Sequence, residues 1–323
     1  MSKKHFFFPI LFCILWCVWT GASAETVRGD LEARFSTIPR IEQDGTTYRF
    51  RSRMTTILLL GIDQQGTMEE PGLLLRHRNG GQADFLLLLA IDDNAKTIAP
   101  IYINRDTMAQ VTVLNVLGQV AGTREMQLCL SHGFGDGKEQ SCELTMDAVS
   151  HLLLNTAIDH YAALEMSGIS VLNDLLGGVT VTLEDDLTNL DPALKKGETV
   201  TLKGAQAEYF VRGRYGVADG SNLNRSGRQR TYISALEKLL REKISVSPNY
   251  IGTLFDQMES FLVTDMSRGY LINLANKADR YTTLPITQFT GEHKISQEGY
   301  NEFYPDAQSV LNVVLEAFYS PEE

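Results

Sequence analysis

The sequence predicts an α/β fold, and three observations carry that reading. Near-continuous apolar runs at Thr56–Ile62, Phe85–Ile91 and Ile98–Ile103 have the length of strands and the hydrophobicity of strands covered on both faces. Apolar stripes at helical spacing recur over Cys142–Asn155, from Asn222 or Asn224 to about Lys243, and over Ile251–Leu262, Arg268–Asp279 and Ala307–Tyr319. Composition is that of an ordinary globular chain, 43% hydrophobic and 21% charged over 323 residues, long enough for one large domain or two small ones. With no linker, internal repeat or low-complexity segment to divide it, 46–319 is read as one domain and 320–323 as a tail.

The N-terminus stands apart. Lys3 and Lys4, the apolar run Phe6–Trp19 and Ala22-Ser23-Ala24 form the n-region, h-region and cleavage site of a secretory signal peptide over 1–24. The alternative is an uncleaved anchor, although the span contains Pro9 and Gly21 and is barely long enough to cross a bilayer. Cleavage leaves 27 basic and 40 acidic side chains, a net charge of −13 against −11 for the whole sequence. A chain so acidic is a poor partner for nucleic acid. Cys13 and Cys17 lie within the signal, without the small residues of a lipoprotein site. Cys129 and Cys142 remain, and an even pair in an exported chain predicts a disulfide rather than a metal site. Residues 25–45 are polar and irregular, as a spacer is.

Taken in order, Thr46–Arg53 reads as a first strand and Thr56–Ile62 as a buried one that delivers Asp63 to its end. The glycine-rich stretch 66–81 is a loop. The runs Phe85–Ile91 and Ile98–Ile103 flank Asp93-Asn94-Ala95-Lys96 and therefore make a β-hairpin. If its turn is centred between Asn94 and Ala95, Arg105 falls opposite Asp84, with Asp106 beside them. Charged residues where burial ends are candidates for a site, and equally for a structural pair that closes a sheet edge. Ala109–Gly137 is mixed, and its His132-Gly133-Phe134-Gly135-Asp136-Gly137 run is a turn, able to cradle phosphate only if a helix starts directly after it. A helix over Gly168–Leu176 ends at the capping pair Gly177-Gly178, and a strand follows at Val179–Leu183. Asp185, Asp186 and Asp191 read as an acidic loop before a metal cluster.

Leu202–Tyr232 is the second informative stretch. A helix through Ala205–Val211 leaves Arg212 and Arg214 on the segment that leaves it. On the next helix Arg225, Arg228 and Gln229 stand at i, i+3 and i+4, one face near its start. Four arginines and a glutamine gathered near a helix N-terminus, in an acidic chain, suit a phosphate or pyrophosphate; surface salt bridges are the alternative.

These stretches resemble the LytR-CpsA-Psr family of extracytoplasmic glycopolymer transferases. The resemblance is carried by LLLGID (Leu58–Asp63), ADFLLLLAID (Ala83–Asp92), INRDTM (Ile103–Met108), Ile158–Leu183, LKGAQAEYFVRGR (Leu202–Arg214), NRSGRQR (Asn224–Arg230) and TDMS (Thr264–Ser267), in the right order over nearly the whole mature chain. It implies a central mixed β-sheet whose flanking helices enclose a hydrophobic lipid tunnel. It also implies Asp84 and Asp106 as metal ligands or base, for Mg²⁺ or Mn²⁺, with Arg105 in the same catalytic group. Arg105, Arg212, Arg214, Arg225 and Arg228, with Gln229, become pyrophosphate ligands. The implied partners are a polyprenyl-pyrophosphate-linked glycan, peptidoglycan and, through the lipid, the outer membrane surface. Gln65, Gln82 and Asn222 stand where the family commonly has two arginines and an aspartate. That departure keeps two alternatives open, a polyprenyl-phosphate-binding protein without catalysis and a polyprenyl-pyrophosphate hydrolase.

Overall fold

The structure, a computed structural model, describes residues 38–64, 81–115, 117–213 and 222–322. The expected signal segment, most of the expected spacer and residues 65–80, which cover nearly all of the expected loop, lie outside them. Strands β1 (Arg40–Gln43) and β2 (Thr46–Phe50) form a hairpin through Asp44-Gly45. Both turn residues have positive φ, +50° and +77°, the conformation that Asp-Gly accommodates. These strands therefore reach into the expected spacer.

The chain continues through β3 (Met54–Gln64), β4 (Gly81–Asp92), β5 (Thr97–Ile103), β6 (Met108–Leu114), β7 (Val120–Gln127), a 3₁₀ turn at Leu128–Phe134 and helix α1 (Glu139–Leu152). Then come β8 (His160–Glu165), α2 (Gly168–Leu175), β9 (Thr180–Thr182), β10 (Thr199–Thr201), α3 (Ala205–Arg212), α4 (Asn222–Val246) and α5 (Tyr250–Met258). The last third holds β11 (Leu262–Thr264), α6 (Arg268–Ala278), β12 (Thr282–Thr283), β13 (Thr287–Gln288), β14 (Gly291–Ile295), β15 (Asn301–Pro305), α7 (Ala307–Phe318) and β16 (Tyr319–Pro321). β16 pairs with β2, so part of the expected tail belongs to the fold.

The central sheet runs β11-β8-β3-β4-β5-β12, with β13 also on β5. It is mixed: β3–β4, β4–β5 and β8–β11 are antiparallel, while β3–β8 and both strands added to β5 are parallel. Period-two alternation sorts its side chains. Leu58, Leu60, Leu86, Leu88, Ile101 and Ile103 enter the main core shared with α1 and α7. Ile57, Phe85, Leu87, Ile91 and Tyr102 face the other side, in the smaller clusters that include Met166 and Met266. A further core forms where β9 and β10 lie under α3 and α4, around Val181, Leu183, Leu202 and Phe210. Among the described residues no helix is long and apolar enough to cross a membrane.

Helix α1 does start directly after the glycine-rich turn, but the turn serves the helix itself. Asp136 Oδ1 accepts from the N–H groups of Lys138 (2.7 Å) and Ser141 (3.3 Å), and Gly137 N donates to Ser141 Oγ (2.7 Å). A Cβ on Gly135 would lie 2.6 Å from Ser141 N, so the donors a phosphate needs are covered. His132 in the same turn is buried, and burial pushes its pKa down to about 4 against a hydrogen bond with the Gly81 backbone. The native state therefore prefers the neutral ring, and the unfolded chain binds the extra proton between pH 6.5 and 4. Stability is full above pH 6.5 and falls by ~3 kcal/mol as pH drops through that window. Urea midpoints measured across it should fall more steeply for the wild type than for His132→Gln.

Candidate functional site

The site begins with a register change. Across β3 and β4 the partners run Gly61↔Phe85 and then Ile62↔Ala83, which leaves Asp84 as the extra residue of a β-bulge. On the other side the hairpin is regular, from Asp92↔Thr97 to Leu86↔Ile103, so its symmetry carries straight on to Asp84 and Arg105. Asp84 Oδ1 accepts from Arg105 Nη1, and Asp84 Oδ2 accepts from Arg225 Nη1 at 3.1 Å. Arg105 Nε lies 3.3 Å from Asp106 Oδ1, and its Nη2 donates to Gln82 Oε1 (2.7 Å) and Cys129 Sγ (3.0 Å). Burial alone lowers the pKa of Arg105, but Cys129, Asp84 and Asp106 more than offset it. Burial pushes the Cys129 thiol up to about 11, so at neutral pH the carboxylates hold the guanidinium charged. The segment is fixed from behind: Cys129 N donates to Arg105 O (3.0 Å), Leu128 N to Thr107 O (2.8 Å) and Phe303 N to Asp106 O (2.8 Å).

Gln82 thus stands in the cluster as an acceptor for Arg105, where the resemblance expects another cation. Arg212, at the end of α3, meets the carboxylate that β3 delivers: Nη2 donates to Asp63 Oδ1 (2.8 Å) and Oδ2 (3.0 Å), and Nη1 donates to Glu208. Arg228 is buried, with Nε on Phe210 O (2.8 Å), Nη1 on Asp185 Oδ2 (2.6 Å) and Nη2 on Gly213 O. Gln229 Nε2 reaches Val211 O (3.4 Å), and Tyr102 Oη donates to Ser226 Oγ (2.7 Å) with Gln229 Oε1 at 3.4 Å. Arg214 and Gln65 lie outside the described residues, as does the side chain of Asn222. The structure brings Asp84, Arg105, Asp106 and Arg225 together; the hairpin arithmetic sets the first three side by side, and the resemblance alone groups Arg225 with them. The sequence reading missed Cys129 and Tyr102 as neighbours of the site, and it had no signal to pair Asp63 with Arg212 or Asp185 with Arg228.

An apolar cavity of about 280 Å³ is lined by residues of the same strands and helices. Leu59, Gly61 and Phe85 of the sheet, Met166 and Ile169, Tyr232 and Leu236 of α4, and Leu254 and Phe255 of α5 line it. Its lining also includes Val211, next to Arg212, and Gln229, one helical turn from Arg225. Phe85 likewise adjoins Asp84 in the chain, and no charged side chain is among the described lining residues. Gly61 keeps the wall open: a Cβ there would lie 2.9 Å from Met166 Cε and 3.0 Å from Phe85 Cβ.

The disulfide expected between Cys129 and Cys142 is not formed. Both are free and fully buried. Cys129 aims its sulfur at Arg105, whereas Cys142 lies on the face of α1 that enters the main core. An even cysteine count carries no information about such separate packing. Alkylation after denaturation without reductant should modify both thiols, and mass spectrometry of the peptides reads the count. Among the described residues no group of three or more His, Cys, Asp or Glu is arranged to hold a metal; Asp185, Asp186 and Asp191 are engaged with Arg228, Thr188 and Ala193.

The model of the LytR_cpsA_psr family matches residues 37–317. Cell wall biosynthesis protein LcpA of Corynebacterium glutamicum is 27% identical over 266 residues, 73% of this chain and 51% of that protein. The polyisoprenyl-teichoic acid–peptidoglycan teichoic acid transferase TagU of Oceanobacillus iheyensis is 27% identical over 268 residues, 82% of this chain and 76% of the relative. The chain spans about half of LcpA and 60% of the TagU of Halalkalibacterium halodurans. Among solved structures, Bacillus subtilis TagV superposes with a TM-score of 0.61 at 19% identity, over 83% of this chain and 98% of that one. TagT bound to LI-WTA superposes with a TM-score of 0.60 at 22% identity, over 88% and 95%. At these identities the structural likeness speaks for the fold.

Proposed function

Because the chain belongs to the LytR-CpsA-Psr family, we propose that it moves a glycopolymer from a polyprenyl-pyrophosphate carrier onto peptidoglycan at the outer face of the cell membrane. One observation supports the reading: the strands and helices that hold a buried cluster of guanidinium and carboxylate groups also line an apolar cavity. A polyprenyl chain fits the cavity and a pyrophosphate the cluster.

In that reading a sugar hydroxyl attacks the phosphorus next to the glycan and polyprenyl phosphate leaves. Charge grows on the phosphoryl oxygens, so catalysis is chiefly positioning plus fixed positive charge. In this reading Arg212 and Arg225, carried by α3 and α4, would face those oxygens. Arg105 keeps Asp84 and Asp106 in place, and either carboxylate can take the hydroxyl proton. Mg²⁺ suits this donor set, because it needs only one or two carboxylate oxygens when substrate and water supply the rest. Asp84 and Asp106 would hold it, and it would neutralise charge on the phosphates.

The second reading, a binding protein without turnover, is favoured by Gln82, which adds an acceptor rather than a cation. Incubation with a lipid pyrophosphate-linked glycan, Mg²⁺ and a peptidoglycan acceptor separates the possibilities. Release of polyprenyl phosphate only with acceptor supports transfer, release without acceptor identifies a hydrolase, and retention without release a binding protein.

A further inference from the structure

We infer that Arg228, held by Asp185, is a positioning residue: it fixes the last turn of α3 and thereby the guanidinium of Arg212. The inference rests on the proposed role of Arg212 at the pyrophosphate.

A helix ends with carbonyls that lack intrahelical partners and carry partial negative charge. At the end of α3 Tyr209 O accepts from Gly213 N (2.9 Å), Phe210 O from Arg228 Nε (2.8 Å) and Val211 O from Gln229 Nε2 (3.4 Å), while Gly213 O takes Arg228 Nη2. Two successive side chains of α4 therefore cap α3. The cation sits where the helix dipole favours one, and Asp185 at 2.6 Å balances it in a setting where the Arg228 side chain is only 5% exposed. All three guanidinium nitrogens are engaged by protein acceptors, two of them backbone.

What the clamp holds is the turn that carries Arg212. The turn is tight: a Cβ on Gly213 would lie 2.7 Å from Tyr209 O and 2.8 Å from Leu190 Cδ1. Arg212 then reaches the end of β3, where both oxygens of Asp63 accept from it. Arg228 thus ties α4 to α3 on one side, and Arg212 ties α3 to the central sheet on the other. Lysine keeps the charge of Arg228, but its single ammonium nitrogen does not reproduce the spread of the fork that reaches Phe210 O, Gly213 O and Asp185.

The test is a double-mutant cycle on farnesyl pyrophosphate binding by the full chain, joined to hydrogen exchange of the purified protein. Arg212→Ala should weaken binding about ten- to a hundredfold and Arg228→Lys about tenfold, while the double variant binds no worse than Arg212→Ala alone. Exchange at the Gly213 amide should rise in Arg228→Lys, with the β4–β5 hairpin unchanged. Asp185→Asn, which leaves the two carbonyl contacts in place, should move both readouts the same way by less, and it decides the matter if Arg228→Lys does not fold. Losses that multiply in the double variant would make Arg228 a direct ligand and overturn the inference. So would Arg228→Lys binding and exchanging like the wild type. If the wild type does not bind farnesyl pyrophosphate, the functional reading fails, and the clamp is judged by exchange alone.

Discussion

Replacing Asp84 by alanine should cost ~3–5 kcal/mol of stability, since it removes the shared partner of two buried cations. The Asp84 and Arg225 side chains are each 6% exposed and that of Arg105 12%. Without the carboxylate the two guanidinium groups confront each other with little water to screen them. Asp84→Asn preserves the shape and one acceptor oxygen but not the charge, so its stability loss should be smaller than that of alanine yet remain above ~1 kcal/mol. Its turnover in the proposed transfer should still fall about a hundredfold or more, because an amide neither accepts the proton nor holds a cation. Urea denaturation of both variants, with turnover of the folded fraction, checks the pair of outcomes. A loss below 1 kcal/mol in Asp84→Ala would mean the cluster is solvated and the ion pairs are of the surface kind.

The same residue marks how far the sequence could be read. The β4–β5 hairpin was legible because two apolar runs flank one polar tetrad, and arithmetic about the turn then pairs Asp84 with Arg105. The bulge that sets Asp84 against β3 was not legible, since one extra residue leaves no mark in an apolar run. Helices α1 to α7 were legible within a few residues from their stripes. β6–β7 and β14–β15 were not: β7 is about half exposed and β14 wholly so, with residues such as Arg124, His293 and Lys294 in place of apolar alternation, and the largely covered β6 and β15 are short strands whose partners are those two. Arg225 and Arg228 look equivalent as helix neighbours. Three positions turn a helical residue by 300°, and that was enough to send one side chain to Asp84 and the other to the end of α3. Pairing across long sequence separation, such as Asp63 with Arg212, depends on the packed fold and has no local signature.

The cavity supports the remaining prediction and the largest change in affinity. Burying each methylene contributes about 0.8 kcal/mol, so a five-carbon isoprenyl unit that enters fully adds up to ~4 kcal/mol. Affinity should therefore climb at least tenfold per unit from geranyl to farnesyl to geranylgeranyl pyrophosphate, and level off once a cavity of about 280 Å³ is full. Inorganic pyrophosphate should bind far more weakly than any of them, since it meets the charged cluster alone. Ala162→Phe puts a ring into the wall between β8 and α5, and Ile233→Asp puts a carboxylate into the apolar lining. Each should cost geranylgeranyl pyrophosphate about a hundredfold while changing inorganic pyrophosphate binding by no more than a few fold, and titration calorimetry on proteins of unchanged melting temperature reads both. An affinity flat across the chain-length series would show that lipid does not enter between α2, α4 and α5. Recognition would then rest on the arginine cluster alone.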